Sequence, residues 1–365
     1  GTITLVAGAG TACRSAPDCG DGGPATDAHL NFPEGVAVDA RSGALYIADT
    51  VDNEVRKVSP QGTITRFAGT GIACAKPPAC GDGGAAATAA TLNSPGGVAV
   101  DRQGNVFIAD TGDNEIRMVS SRGVISRVAG NGARCAKAGT CGDGGSATNA
   151  QLAFPQAVVS DTAGGVYVAD QGDNKVRKVL AAGTIDTVAG TGAACASPPS
   201  CGDGADGKQA QLTFPSGVAF DQAGNVYIAD QGDDEVRKLS GGGISTIAGS
   251  GIECAKPPSC GDGGPGTSAA FDYPAGVASD PQGNVTVADT MDHEIRWLSS
   301  PARAPAKIST LVGKVSLLAF AADVGPTSVT VRGAVGASAR LSLSVSGGGH
   351  GPQVVARGTS PTGFF

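Results

Sequence analysis

Apolar residues along this 365-residue chain fall in short runs of about five, each bounded by Gly, Asn, Asp or Pro. The long i, i+3, i+4 stripes of amphipathic helices are missing. The runs recur as a set. Aligned on the proline before the first run, the sets begin at Pro33, Pro95, Pro155, Pro215 and Pro274, spaced 62, 60, 60 and 59 residues apart. The fourth copy shows the whole unit: Gly217 to Asp221, Asn225 to Asp230, Glu235 to Leu239 and Gly243 to Gly249. Turns such as Asp221-Gln222-Ala223-Gly224-Asn225 suit a tight hairpin, because Gly and Asn accept positive φ. Four short strands per repeat predict an all-β fold, a β-propeller of four-stranded blades.

The strand tally is uneven. The first three strands occur five times, whereas the fourth occurs six times, at 3–7, 63–68, 124–129, 184–189, 244–248 and 308–312. We expect a cut six-bladed ring with a leftover strand at its start, in preference to a five-bladed ring with a spare. The insert 299–307 lengthens only the last blade's outer hairpin, and the repeat stops after Gly313. Strand-like runs at Ser328 to Arg332, Arg340 to Val345 and Gln353 to Ala356 suggest that 314–365 is the start of a truncated immunoglobulin-like or fibronectin-like sandwich.

The strings ADTGDNEIR and GVAVDRQGNVFIAD, with GDGGPAT at Gly20–Thr26 and GDGGSAT at Gly142–Thr148, resemble NHL repeats, most closely the bacterial and teneurin-like form. The resemblance covers residues 1 to about 313, five times over. It implies a propeller, six-bladed in known cases. It says little about activity, since one fold hosts many roles.

Composition agrees: 58 Gly and 21 Pro oppose long helices. A net charge of −7 without any Lys/Arg cluster argues against nucleic acid. The most apolar stretch, Val315 to Ala322, is far shorter than the roughly 20 residues that span a bilayer. Gly1 is read as a processed or cut start. The ten cysteines form five C-x5-C pairs, Cys13/Cys19, Cys74/Cys80, Cys135/Cys141, Cys195/Cys201 and Cys254/Cys260. Identical local spacing reads as five disulfides and an oxidising compartment, secreted or at the cell surface. Zinc knuckles use closer cysteines, and no His recurs with these pairs.

Antiparallel order puts the tight Gly turns on one side of the ring. All the long loops lie on the other, and that side is the candidate ligand face. Acidic candidates there are Asp21, Asp82, Asp143, Asp203 and Asp262 after the second Cys of each pair, and Asp52, Asp113, Asp173, Asp233 and Asp292 in the second hairpins. The structural alternative is turn chemistry. Calcium is conceivable, but no D-x-D-x-D-G string exists and one carboxylate per loop is too few. No cofactor is expected. Asp49/Arg56, Asp110/Arg117, Asp170/Arg177, Asp230/Arg237 and Asp289/Arg296 recur seven apart and read as scaffold ion pairs.

Chemistry at an axis demands residues that do not repeat. The histidines His29 and His293 are weak candidates for an axial metal, as in a propeller lyase, and more naturally variable loop positions; His350 lies outside the propeller. The favoured reading is an extracellular binding or scaffold module for a protein or carbohydrate ligand, part of a larger multi-domain surface protein. A lyase or lactonase-like enzyme and a purely structural domain are the alternatives.

Overall fold

The computed structural model describes residues 4–13, 19–77, 80–83, 87–135, 141–199, 201–255, 260–299, 308–312, 328–331 and 343–346. Five antiparallel four-stranded sheets stand as blades in a propeller ring. Blade 1 holds β1 (Pro33–Val38), β2 (Leu45–Asp49), β3 (Glu54–Val58) and β4 (Ile64–Ala68). Blade 2 holds β5 (Pro95–Val100), β6 (Val106–Asp110), β7 (Glu115–Val119) and β8 (Ile125–Ala129). Blade 3 holds β9 (Pro155–Ser160), β10 (Val166–Asp170), β11 (Lys175–Val179) and β12 (Ile185–Ala189). Blade 4 holds β13 (Pro215–Phe220), β14 (Val226–Asp230), β15 (Glu235–Ser240) and β16 (Gly243–Ala248). Blade 5 holds β17 (Pro274–Ser279), β18 (Val285–Asp289), β19 (Glu294–Leu298) and β20 (Ile308–Val312).

These segments form central strands because both their faces are buried: β6, β10 and β14 are buried at every position. Small and β-branched side chains of adjacent blades interlock. Tyr46, Ala48 and Val55 of blade 1 meet Val98, Ile108, Val119 and Ile125 of blade 2, and equivalent clusters join blades 2 and 3, 3 and 4, and 4 and 5. At the axis the inner strands approach so closely that a Cβ on Gly97 would lie 2.8 Å from Gln156 O.

Among the described residues, no apolar cluster joins blade 5 to blade 1. The remaining face of blade 1 (Ile47, Val58 and Ile64) is covered by its own connecting segment, with Ala25, Ala28, Ala7 and Leu30. The expected sixth fourth-strand is not a strand over 4–7. It lacks the three strands it would pair with, and a lone strand has no ladder. It still follows the path of the other blade connections: Gly8 N–H donates to Ala25 O, as Gly69 does to Ala87 O and Gly130 to Ala147 O.

In the C-terminal segment, β21 (Ser328–Val331) and β22 (Leu343–Ser346) pair antiparallel. Gln353–Ala356, His350 and the insert from residue 300 to 307 lie outside the described residues. No helix among the described residues is long and apolar enough to cross a membrane.

Candidate functional site

The polar residues that recur in every blade converge inside it. Each third strand carries one arginine whose side chain is fully buried. Arg56 reaches Asp49 Oδ2 at 3.3 Å and Asp21 Oδ1 at 2.7 Å. The same fork closes at Arg117 (Asp110 and Asp82), Arg177 (Asp170 and Asp143), Arg237 (Asp230 and Asp203) and Arg296 (Asp289 and Asp262). Arg117 also donates to Cys80 O and Thr91 O. It therefore ties strand, hairpin and disulfide loop together. The other oxygen of the strand-end aspartate accepts the backbone N–H ahead of the inner strand, as Asn93 N donates to Asp110 at 2.7 Å.

The second set of aspartates lies beneath the hairpin tips. Asp52, Asp113, Asp173, Asp233 and Asp292 are all buried. Asp113 Oδ1 accepts from Asn93 Nδ2 at 3.1 Å, and Asp52 Oδ1 from Asn31 Nδ2 at 3.0 Å. Their Oδ2 atoms are buried without a hydrogen-bond partner. In four blades such a carboxylate lies within 4.8 Å of both disulfide sulfurs, as Asp52 does with Cys13 and Cys19. Sulfur locked in a disulfide is not the thiolate that binds metal. Burial raises all five of these carboxyls above their ordinary values. Desolvation outweighs the arginine and pushes Asp49 up to about 7, Asp170 and Asp289 likewise to about 7, and Asp292 to about 6. Of the ten acidic candidates, then, five are buried and the other five are exposed residues whose carboxylates are held on the buried arginines.

All five cysteine pairs are bonded within their own repeats, with Cα–Cα distances of 5.6–5.7 Å. The pair of blade 4, Cys195/Cys201, is bonded as expected and differs from the others only in its surroundings. Cys201, like Cys260 of blade 5, is half-buried, whereas Cys19, Cys80 and Cys141 are buried. Its sulfur lies 3.7 Å from Ser197 O, and the pair forms no close group with Asp233 of the kind the other four blades show. The loop is anchored differently. Cys195 N donates to the Thr213 hydroxyl at 2.9 Å, whereas Cys74 and Cys135 donate to the backbone carbonyls of Leu92 and Leu152. The Cys201 carbonyl still accepts from Arg237 at 3.4 Å, so the fork of this blade is intact.

His29 Nδ1 is 2.8 Å from Thr11 Oγ1. His293 sits in the second hairpin at φ 58°, where the other blades place Asn53, Asn114, Asn174 and Asp234. No group of three potential metal ligands among the described residues includes a histidine.

A cavity of about 510 Å³ opens at the tight-turn end of the axis, walled by Val98, Val158, Val218 and Val277. Its rim aspartates are occupied by their own turns. Asp101 Oδ1 accepts from Gln103 N and Asn105 N, both at 2.8 Å, and Oδ2 accepts from Asn105 Nδ2.

The long-loop mouth differs in kind. The residue before each aligned proline is Phe32, Ser94, Phe154, Phe214 or Tyr273, and all five hold φ between 48° and 55°. For an aromatic side chain that left-handed backbone costs about 1–2 kcal/mol. It is held across blades: Asn114 Oδ1 accepts from Phe154 N, Asn174 Oδ1 from Phe214 N and Asp234 Oδ1 from Tyr273 N, at 2.9–3.0 Å. The four aromatic residues are nevertheless 40–58% exposed. Inside this collar the repeat breaks. Gln156 Nε2 donates to Glu34 Oε2 at 2.6 Å, across 122 residues of sequence. Gly96 leaves them room, since its Cβ would lie 3.1 Å from Gln156 Nε2. Burial raises the Glu34 carboxyl above its ordinary value, and the amide only partly offsets it. Sequence reasoning passed over these residues. The available signal was that four of the chain's 14 Phe and Tyr share one repeat position.

Solved structures of similar shape include virginiamycin B lyase from Staphylococcus aureus (TM-score 0.52, 10% identity, 90% of this chain and 84% of that one). A gluconolactonase from Xanthomonas campestris scores 0.51 at 15% identity, over 83% and 84% of the two chains. At such identity the likeness is of fold alone, and no lyase or lactonase chemistry carries over. Sequence relatives are closer. Teneurin-1 of Mus musculus is 30% identical over 251 residues, 65% of this chain and 9% of the relative. Teneurin-4 of Mus musculus is 31% identical over 248 residues (64% and 9%), and Teneurin-m of Drosophila melanogaster 28% over 247 (64% and 9%). The chain thus spans about 9% of the length of these curated relatives. A family model described as the Teneurin NHL domain matches residues 2–78, 65–131, 126–200 and 184–259. By its repeats, its blades and this match, the chain belongs to the teneurin NHL domain family.

Proposed function

We propose that this propeller is an extracellular, cell-surface binding module that recognises a protein ligand on its long-loop face, with the aromatic collar as the contact surface. The observation that supports the reading is the collar itself: Phe32, Phe154, Phe214 and Tyr273 are exposed and carried on left-handed backbone. Exposed rings held at a conformational cost are not explained by folding, whereas aromatic side chains dominate binding energy at protein interfaces. Rings on a rigid scaffold also lose little entropy on binding. Family membership and the five disulfides fit an oxidising, extracellular setting. The cavity at the opposite end serves a ligand less well, because its acidic rim is already satisfied.

The test presents the propeller on beads to a panel of intact cells, before and after protease or glycosidase treatment. The comparison is between wild type, Phe154→Ser/Phe214→Ser and the tight-turn variant Arg102→Ala. Serine is the residue blade 2 carries at this position, Ser94. Binding that survives Arg102→Ala but is lost with the collar and with protease supports the proposal. Binding indifferent to the collar, or no binding to any cell, overturns it.

A further inference from the structure

Every blade repeats its buried carboxylates beside a guanidinium, but one half-buried carboxylate stands outside that pattern. Glu34 lies in β1, directly after Phe32 and Pro33 of the collar. The corresponding positions are Gly96, Gln156, Ser216 and Ala275, so the acid occurs once in five repeats. Its only described side-chain partner is the neutral Gln156 amide at 2.6 Å. Among the described residues it forms no ion pair, whereas Glu54 has Arg66 at 3.4 Å and Glu115 has Arg127 at 3.3 Å. The amide fixes one carboxylate oxygen and leaves the charge uncompensated.

We propose that Glu34, held by Gln156 and two positions after Phe32 of the collar, is the seat for a protonated aliphatic amine, supplied by a lysine side chain of the protein partner. The inference rests on the binding reading given above and adds the chemistry of what binds. Three features carry it. A partly desolvated carboxylate gains most from a cation that arrives with the ligand and is itself desolvated there. Aromatic faces attract cations, and a collar ring already shows this: the Arg134 guanidinium lies over Phe154, 4.4 Å from the ring centroid. The chain's net charge of −7 favours approach of a basic partner. Gly96 contributes by omission, since a Cβ there would crowd Thr111 Oγ1 at 2.8 Å, Gln156 O at 3.0 Å and the Gln156 amide that holds Glu34 at 3.1 Å.

The experiment titrates the whole chain with N-acetyl-lysine methylamide and, separately, with the uncharged norleucine analogue, followed by amide chemical shifts in NMR. Wild type is expected to bind the lysine probe in the millimolar range, with shifts at Glu34, Gln156 and Phe214, and to bind norleucine at least about tenfold more weakly. Glu34→Gln, near-isosteric and with an unchanged melting temperature, should weaken the lysine probe by a similar factor. Gly96→Ala, which crowds Thr111 and the Gln156 amide and leaves the charge, should weaken it less. Lysine binding unaffected by Glu34→Gln, equal binding of norleucine, or no shift at this mouth overturns the proposal. The bead assay separates the two readings. If Glu34→Gln beads still bind cells and Phe154→Ser/Phe214→Ser beads do not, the surface stands and the amine seat fails. If collar variants bind normally, the surface itself fails.

Discussion

The blade interior and the long-loop mouth use the same residue types to opposite ends. Inside a blade, acid and base are paired and repeated around a buried arginine: Arg117 between buried Asp110 and the more exposed Asp82 has the same counterpart in each of the other four blades. At the mouth, Glu34 has no ion pair among the described residues and does not recur, and the rings of the collar are exposed. A device needed once per blade holds the blade. A residue that breaks the repeat answers to something outside it. The difference makes the recurrent acids scaffold and the irregular mouth the place where specificity resides.

The largest expected effect comes from breaking the scaffold. Arg117→Met leaves Asp110 and Asp82 without their cation and Cys80 O and Thr91 O without a donor. It should lower stability by about 3–5 kcal/mol in denaturant unfolding, as removal of one member of a buried ion pair does. Glu34→Gln, the same class of change at the mouth, should leave the unfolding curve in place. Opening one staple by Cys135→Ser/Cys141→Ser comes next. Closing so short a loop is worth about 2 kcal/mol on the chain-entropy model.

pH sharpens the contrast further. Asp49, Asp170 and Asp289 in the blade interior titrate near 7 when folded, as do Glu54 and Glu115. Unfolded, they titrate near 4, so between those values the folded chain holds more protons than the unfolded one. Stability from these groups is fully present below about pH 4 and is lost as pH rises through about 7. Melting midpoints should therefore be higher at pH 5 than at pH 8. A midpoint that rises from pH 5 to pH 8 would contradict the desolvated state of the network.

How much of this could be read from the chain follows from the same contrast. Repetition made the blades, the five staples and the Asp–Arg pairs legible, because each appears at fixed spacing beside the same neighbours. Burial was not legible. Asp113 in a T-G-D-N turn has the same sequence whether its carboxylate faces water or lies beneath the hairpin, and only the packed loop decides. The Cys195/Cys201 pair likewise shares its C-x5-C spacing with the others, yet its loop is anchored on the distant Thr213 hydroxyl and not on a backbone carbonyl. Glu34 and Gln156 are 122 residues apart and meet because the ring curves, a relation that no local spacing encodes. The collar was obscured by Ser94, which interrupts the aromatic column in blade 2. The leftover fourth strand was legible as a motif, but residues 4–7 form no strand, since pairing needs partners and not only a strand-like sequence.

The smallest expected effect is the most diagnostic. Asparagine tolerates left-handed backbone better than phenylalanine does. Phe154→Asn/Phe214→Asn should therefore raise stability slightly, by about 0.5–1 kcal/mol, if the rings serve no packing role. The direct test of the account is to measure melting temperature and bead binding to cells on this one double variant. We predict an unchanged or higher melting temperature with binding lost. A melting temperature several degrees lower with binding retained would show that the collar belongs to the fold, and the account would be wrong.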